Sequence, residues 1–389
     1  MALVLRLPIT ISSGNCYTLD LLVGSQATPV TVLLDTGSSM SAVNIDVYDP
    51  GADAPAATTT DLLQSGSFQG AASFLAAVVQ TPVGLQADGA TPVTVPKANL
   101  GVVYKVQPFL FGKADGILGL AYPALNAATR MPANTWDNKY TPAQLGPGQA
   151  AGTLAPCVNQ LAAAGEIANK FAIAVRRSTF SQGPDAAVLN TGVFVLGGGE
   201  ECTELYTGAF ATVAVVSETY YNSNLVAVQV GGRTIQVGPP PAGSDAASNS
   251  FLDSGSNQLI LDPPLYQQVI AMFNEVDPAF GAALQAGSHD QTQLDLTAWP
   301  TLEFVLAGVG GAQATWTVEP KDYWQFDGYG AGTATTGLAS GSAPHPGQSI
   351  LGLPLFANHY VVFDRTAGPG RSVIRFAPQP AAEAAPLVA

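Results

Sequence analysis

The sequence predicts an all-β protein, mostly strands with a few short helices, that is built from two similar halves. Glycine and proline are frequent, at 41 and 29 of 389 residues, and they are scattered without a collagen-like period. That usage is typical of a chain with many short strands and turns. Several stretches alternate apolar and polar residues, as half-buried strands do. A motif that occurs twice indicates the two halves.

The composition excludes several classes of protein. Lys and Arg number 14 against 28 Asp and Glu, so the formal net charge is −14. A nucleic-acid binder needs a basic face to neutralise phosphates, and an anionic membrane surface also attracts basic segments. The apolar share of 47% is too high for a disordered chain. No apolar run approaches the ~18 residues of a membrane span. We expect a monomer with no nucleic-acid partner and no membrane association.

The alternating stretches are the first predicted elements. Strands are expected at Leu19–Val23, Val30–Leu34, Val213–Val216, Leu225–Val230 and Leu302–Leu306. Apolar residues at helical spacing, with proline in the first turn, predict helices over Pro156–Ile167 and Pro263–Val276 and a short one from Pro320. Segments of small and polar residues are expected on the surface at 126–155, 238–249 and 328–348, and the tail from Pro378 is expected to be loose.

The repeated motif is the most informative feature. The chain reads VLLDTGSSMSAV over residues 32–43 and SFLDSGSNQLIL over residues 250–261. Each copy is followed by Ile-Leu-Gly-Leu, at 117–120 and again at 350–353. One Asp-Thr-Gly tripeptide arises easily by chance and often marks a plain turn. Two copies with the same flanking apolar residues and the same downstream signal predict two halves of one design.

Each copy places an aspartate where a buried strand enters a turn. Asp35 and Asp253 would meet face to face if the halves pack about a pseudo-two-fold axis. The following residues are the types that could support such a pair. Glycine offers a backbone N–H to the carboxylate, the next hydroxyl bridges to the opposite loop, and serine donates to the outer oxygens. The candidate supporting residues are Thr36, Gly37, Ser38, Ser254, Gly255 and Ser256.

Two carboxylates at contact distance share one proton and titrate as a unit. The ionised partner could take a proton from a water held between them, while the protonated partner polarises a scissile carbonyl. The product of that step is a tetrahedral diol, and no metal, cofactor or covalent intermediate is required. The alternative is a pair of Asp-led turns without a shared site, which would leave the doubled Ile-Leu-Gly unexplained.

These residues resemble the pepsin-like aspartic peptidases over nearly the whole chain. The motifs that carry the resemblance are DTGSS at Asp35–Ser39, DGILGLAYP at Asp115–Pro123, VLGG at Val195–Gly198, DSGS at Asp253–Ser256 and SILGLPLFANHYVVFD at Ser349–Asp364. The resemblance implies a bilobal pepsin-like acid protease fold with a cleft between the lobes. It places the first lobe, with the first aspartate and the flap, at 1–177 and the second lobe at 178–389.

The resemblance also implies an aspartic endopeptidase that cleaves extended peptides or unfolded protein. We expect apolar residues at the cleavage site, an acidic optimum and inhibition by pepstatin. Phe109, Phe111, Ile117 and Leu120 are candidates for an apolar wall, although core packing explains Ile117 and Leu120 better. A pepsin-fold peptide-binding or inhibitor-like protein with little turnover is the alternative. A sugar- or phosphate-processing enzyme is a distant third, because basic residues near the motifs are sparse.

The flap departs from the family pattern. The aligned flap run is Leu63, Gln64, Ser65, Gly66, Ser67 and Phe68. Leu63 stands where the family usually has a tyrosine, and Ala42 stands where it usually has the supporting tryptophan. The usual hydroxyl–indole pair is therefore missing. Tyr48 or Phe68 would compensate if the alignment is shifted by a few residues.

The cysteines and the N-terminus bear on the compartment. The three cysteines, Cys16, Cys157 and Cys202, form no CxxC motif, and we expect each to be a buried thiol in apolar surroundings. The first 14 residues are broken by Arg6 and Pro8, which does not fit a signal peptide, and too little chain precedes Asp35 for a pro-segment. We therefore expect a cytoplasmic protein that is similar to bacterial pepsin homologues, or a periplasmic or secreted one if a leader was removed. His289, His345 and His359 lack metal-ligand spacing, and no metal site is expected.

Overall fold

The chain is all-β, as the sequence predicts. The computed structural model describes residues 3–12, 14, 16–67, 73–87, 89–106, 111–131, 149–244, 246–341, 343–381 and 387. Strands make up 45% and helices 16%, which leaves the helices as minor additions to the sheets.

The strands of the first half occupy the segment before residue 154. They are β1 Leu5–Ile11, β2 Tyr17–Val23, β3 Thr28–Asp35, β4 Ser41–Asn44, β5 Thr58–Ser67, β6 Ser73–Leu85, β7 Val93–Val106, β8 Gly116–Gly119, β9 Ala127–Arg130 and β10 Gln149–Thr153.

The remaining described strands are shorter on average. They are β11 Lys170–Val175, β12 Thr191–Leu196, β13 Ala211–Ala214, β14 Ser217–Glu218, β15 Tyr221–Ser223, β16 Leu225–Val230, β17 Arg233–Gln236, β18 Ser250–Leu252, β19 Leu259–Leu261, β20 Ser288–Asp290, β21 Leu302–Ala307, β22 Gln313–Val318, β23 Trp324–Phe326, β24 Thr333–Thr336, β25 Leu338–Ser340, β26 Ser349–Leu351, β27 His359–Asp364 and β28 Val373–Pro378. The described α-helices are α1 Cys157–Ala163, α2 Ala186–Leu189, α3 Pro263–Val276, α4 Pro278–Ala286, α5 Pro320–Tyr323 and α6 Leu353–Phe356.

One large sheet joins the two halves. Its strand order is β10-β9-β5-β6-β7-β4-β8-β3-β2-β1-β12-β11-β27-β28-β13. The pairing of β1 with β12 and of β11 with β27 carries the sheet from the first strands of the chain to the last. Sheets of six, four and three strands complete the second half. The predicted boundary at 177/178 stays a prediction.

The internal repeat is visible as strand topology. In the first half β3 pairs in parallel with β8, and β4 pairs antiparallel with the same strand. In the second half β18 pairs in parallel with β26, and β19 pairs antiparallel with it. In both copies the Asp-led loop therefore connects two strands that pair on opposite sides of the Ile-Leu-Gly strand.

The doubled Ile-Leu-Gly has a packing reason. A Cβ on Gly119 would lie 2.5 Å from the Met40 nitrogen, and a Cβ on Gly352 would overlap the Gln258 carbonyl oxygen. Both glycines thus let the downstream strand approach the backbone of the loop that follows each aspartate. A larger residue at either position would force the two segments apart.

Most predicted elements are confirmed by the structure. All five predicted strands are present, although the one predicted to reach Val216 ends at Ala214. The helix Pro263–Val276 has the predicted bounds, with Leu265, Val269 and Phe273 buried at helical spacing. The predicted helices near Pro156 and Pro320 are also present but short.

Some segments differ from the prediction. Helix α4 was not predicted; it begins because the Asp277 side chain accepts a hydrogen bond from the Ala279 N–H at 2.8 Å. The segment 328–348 was predicted to be a loop, but it contains β24 and β25, where β-branched Thr residues pair with neighbouring strands. The segment 126–155 begins and ends in β9 and β10, which extend the large sheet, and its residues 132–148 lie outside the described residues.

Two further findings concern the helices and the cysteines. None of the helices in the described residues combines the length and apolar character needed to cross a bilayer. Cys16, Cys157 and Cys202 are free and buried. Cys157 and Cys202 lie in apolar clusters as expected, whereas Cys16 also contacts polar groups of the site described next.

Candidate active site

Asp35 and Asp253 face each other across the two halves. Asp35 ends β3 and Asp253 directly follows β18. The Gly37 N–H donates to Asp35 Oδ1 at 2.7 Å, and the Gly255 N–H donates to Asp253 Oδ1 at 2.8 Å. Each carboxyl also touches the glycine of the opposite loop. A Cβ on Gly37 would lie 2.6 Å from the Asp253 carboxyl, and one on Gly255 would lie 2.5 Å from Asp35 Oδ1.

Burial and proximity perturb both carboxyls. Burial raises the pKa of Asp35, whose side chain is shielded from solvent, while hydrogen bonds to its ionised form oppose that rise. The pKa of Asp253 lies well above its ordinary value, first because of burial and then because of the Asp35 charge. The two groups therefore retain one proton between them over a range of pH in which isolated carboxyls would both be ionised.

Thr36 and Ser254 tie the two loops together through reciprocal hydrogen bonds. The Thr36 N–H donates to Ser254 Oγ at 3.0 Å, and the Ser254 N–H donates to Thr36 Oγ1 at 2.8 Å. The hydroxyls in turn donate to the carbonyls of Leu252 and Leu34, at 3.2 and 2.9 Å. Both side chains are buried, so each of these groups depends on its partner across the interface.

Thr36→Val should lower stability markedly. The substitution keeps the shape but leaves the Ser254 N–H and the Leu252 carbonyl without their buried partner, which we expect to cost about 3 kcal/mol. The urea midpoint of unfolding measures the effect, with Thr234→Val on the exposed face of β17 as the matched control. A midpoint equal to that of the wild type would show that these bonds do not hold the loops together.

The two serines that follow the glycines behave differently. The Ser38 side chain lies beside the Asp35 carboxyl and acts against the rise in its pKa, although its oxygen has no hydrogen-bond partner of standard geometry. Ser256 was expected to donate to the outer oxygen of Asp253. Its hydroxyl instead donates to the Gln258 carbonyl at 2.9 Å, because the turn into β19 brings that carbonyl closer.

The predicted flap run, as far as Ser67, forms the end of β5, and two of its side chains are buried. Leu63 is buried against Met131, and Gln64 is buried with its amide on another side chain of the lobe. These two side chains are covered by Met131 and Asn126, and the interpretation of the run as a substrate-binding flap stays a prediction. Ser65, Gly66 and Ser67 pair with β6, and Phe68 lies outside the described residues.

Phenylalanines occupy the surroundings of Ala42, where the family usually has tryptophan. Ala42 belongs to a buried cluster with Phe74 and Phe111, whose ring centroids lie 5.6 Å apart. A Cβ on Gly66 would overlap the Phe74 ring, so this ring packs directly on β5. Tyr48 does not replace the missing flap tyrosine, since its hydroxyl bonds Thr81 Oγ1 at 2.6 Å.

Two residues near the dyad were not predicted from the sequence. Cys16 Sγ donates to the Gly255 carbonyl at 3.0 Å; burial raises the pKa of its thiol well above the ordinary value, and the Asp253 and Asp35 charges add to that rise. Tyr220 is half-buried and stacks on Phe251 with centroids 4.5 Å apart. Burial and the same two Asp charges raise the pKa of Tyr220. The fold brings both residues close to the dyad, although neither belongs to an Asp-led motif.

The donor set around the dyad consists of carboxyls, hydroxyls, backbone amides and one thiol. Across the described ranges, no three His, Cys, Asp or Glu side chains are grouped so that they could hold a metal ion. The described groups suit proton transfer to and from a water held between two carboxyls.

The comparison with protein families agrees with this geometry. A family model described as "Eukaryotic aspartyl protease" matches residues 16–378, which include both Asp-led loops and the two Ile-Leu-Gly segments. The match spans nearly the whole chain, and the mostly-strand structure is consistent with the bilobal fold of that family. The chain therefore belongs to the pepsin-like eukaryotic aspartyl protease family.

Proposed function

We propose that this protein is an aspartic endopeptidase whose catalytic groups are Asp35 and Asp253. One observation carries the proposal: each carboxyl is held by the amide of its own glycine and packs on the glycine of the other loop. That arrangement leaves the two carboxyls facing one another with raised pKa values. A pair of this kind can act as base and acid in the same step.

The reaction follows from the shared proton. The ionised carboxylate accepts a proton from a water between the two groups, and the water oxygen attacks the peptide carbonyl carbon. The protonated carboxyl donates its proton to the carbonyl oxygen, so a neutral tetrahedral diol forms. The carboxyl that gained the water proton then passes it to the amide nitrogen, the other carboxylate takes a proton from one diol hydroxyl, and the C–N bond breaks as the carbonyl re-forms. The pair ends with one proton, as it began.

An apolar patch beside Asp253 supports a preference for apolar residues next to the scissile bond. Tyr220 and Ile260 are partly exposed there, and they pack on the buried side chains of Phe251 and Ile350. Phe111, Ile117 and Leu120 do not add to an open wall, because all three are buried in core clusters. Phe109 lies outside the described residues. The preference therefore rests on the Tyr220 side of the dyad.

A pH series of peptide cleavage tests the function. Activity needs one ionised and one protonated carboxyl, so we expect a bell-shaped dependence of kcat/KM with its maximum at acidic pH. The raised pKa of Asp253 should move the alkaline limb above that of an ordinary carboxyl. Pepstatin should abolish the activity throughout the series. Cleavage that pepstatin does not affect between pH 3 and pH 7 would contradict the proposal.

A peptide-binding protein with little turnover is the second candidate. The observation in its favour is Leu63, which is buried where the family usually has a flap tyrosine. It predicts a stable peptide complex without product after long incubation. The intact pair of Asp loops favours the enzyme.

A further inference from the structure

We propose that Gln64 and Asn126 are positioning residues that hold strands β5 and β6 in place beside the Asp35 loop. The inference rests on the proposed function, because it concerns the geometry of the same reaction. It assigns a role to Asn126 and to β9, which the function described above does not use. Four sets of contacts carry it, and together they close a ring that begins and ends at the Asp35 loop.

The first contacts join β5 to β9. Leu62 pairs with Arg130 and Leu63 pairs with Thr129, so β9 continues the sheet beyond β5. The Met131 N–H donates to the Asp61 carbonyl at 2.7 Å, and the Arg130 guanidinium forms an ion pair with the Asp61 carboxylate. That ion pair is exposed and therefore weak, so the backbone pairing is the main contribution here.

The second contact is a buried amide pair. Gln64 and Asn126 are 3% and 4% exposed, and Gln64 Nε2 donates to Asn126 Oδ1 at 2.5 Å. Asn126 Nδ2 donates to the Leu154 carbonyl at 3.0 Å, while the Leu154 N–H donates back to the Asn126 carbonyl at 2.8 Å. Both carboxamides are thus fixed in orientation. Away from water, losing either partner leaves a polar group unsatisfied, so the pair resists displacement.

The third set links Asn126 to the dyad. Only one short 3-10 turn, Pro123–Leu125, separates it from the segment that holds the Asp35 loop. In that segment the Leu120 N–H donates to the Asp35 carbonyl and the Ala121 N–H donates to the Ser38 carbonyl, both at 2.7 Å. A shift of Asn126 would therefore reach the backbone of Asp35 within a few residues.

The fourth set closes the ring from β6. Phe74 on β6 packs in a buried cluster with Met40 and Ile117. The Met40 carbonyl accepts a hydrogen bond from the Gly119 N–H at 2.8 Å, which ties it to β8 beside Asp35. The two strands are thus held at Gln64 on β5 and at Phe74 on β6. This double attachment takes the place of the absent hydroxyl–indole pair.

Gln64→Met and Asn126→Leu test the role by kinetics. Both substitutions remove the hydrogen bond between the two carboxamides and put an apolar side chain of similar volume in place of the polar one. We expect kcat to fall about tenfold or more with KM within about threefold, because a misplaced reacting centre mainly costs transition-state stabilisation. The positions of both pH limbs should not change, since the dyad itself is intact.

The chain offers a matched control and a rescue. Gln80 on β6 forms a similar cross-strand amide pair with Asn99, at 3.4 Å, outside the ring. Gln80→Met should leave kcat and KM within twofold of the wild type. Asn126→Asp can accept from Gln64 and, when protonated, donate to Leu154, so it should restore wild-type kcat at acidic pH.

Amide hydrogen exchange gives a readout independent of activity. Exchange at Leu63–Gly66 should become at least tenfold faster in Gln64→Met and Asn126→Leu and should be unchanged in Gln80→Met. A wild type that cleaves, with variants that match its kcat, overturns the positioning role alone. A wild type without any cleavage overturns the proposed function and this role together, whereas faster exchange without loss of kcat reduces the pair to a structural contact.

Discussion

Asp35→Asn and Asp253→Asn are each expected to lower kcat/KM by about 10³-fold or more, while the protein stays folded. Asparagine keeps an oxygen that can accept the bond from Gly37 or Gly255, so the loop geometry is preserved. It cannot take a proton from water or give one to the substrate carbonyl. Because both carboxyls take part in one proton cycle, the two variants should lose activity to a similar extent.

The same variants make a prediction about stability that separates loss of chemistry from loss of fold. A carboxyl whose pKa is raised on folding stabilises the protein below its unfolded pKa, about 4, and this contribution is lost as the pH rises through the folded pKa. The pKa of Asp253 is raised well above the ordinary value. Above the unfolded pKa, the folded protein bears the cost of a buried carboxyl that resists ionisation, and Asp253→Asn removes that cost. The Tm of the variant should therefore exceed that of the wild type at pH 7 and match it near pH 3.

Thermal scans at the two pH values check this, with cleavage measured on the same samples. An inactive variant with a lower Tm at pH 7 would indicate that Asp253 is needed for folding, and the assignment of its role in catalysis would lose this support. A variant with full activity would exclude the shared-proton mechanism.

The predictable part of the site is the part encoded locally. Asp35, Thr36 and Gly37 lie in one short loop, and the matching loop repeats their chemistry, so the sequence alone indicated the dyad and its reciprocal hydroxyls. The repeated Ile-Leu-Gly-Leu was also informative about the fold. Its glycines, Gly119 and Gly352, are needed because each strand packs tightly on the loop that follows an aspartate.

The remaining features depend on contacts between distant segments. Cys16 reaches Gly255 across 239 residues of chain, and no local pattern marks it as a neighbour of the dyad. The segment 126–155 has the composition of a surface loop, yet its ends pair as strands because β5 offers an unpaired edge. Leu63 is buried against Met131 and Gln64 against Asn126, and a linear alignment with a flap does not reveal these distant contacts.

Gly255→Ala and Gly37→Ala are expected to lower kcat/KM by about 10²-fold, a large effect for the addition of one methyl group. The added Cβ would lie 2.5 Å from Asp35 Oδ1 in the first variant and 2.6 Å from the Asp253 carboxyl in the second. Contacts this short cannot persist, so the carboxyl of the opposite loop must move. Neither glycine has a positive φ, so the loss would come from this contact and not from backbone strain.

Gly238→Ala is the matched control, because nothing lies within 4 Å of its added Cβ and its backbone is also outside the left-handed region. It should retain activity within twofold of the wild type. The two loop variants should have similar effects, since each methyl group meets the carboxyl of the opposite half. Full activity in either variant would show that its glycine does not pack against the opposite carboxyl in the working enzyme. A loss confined to one variant would mean that the two carboxyls are not held equivalently, and that one of them can move without disturbing the shared proton.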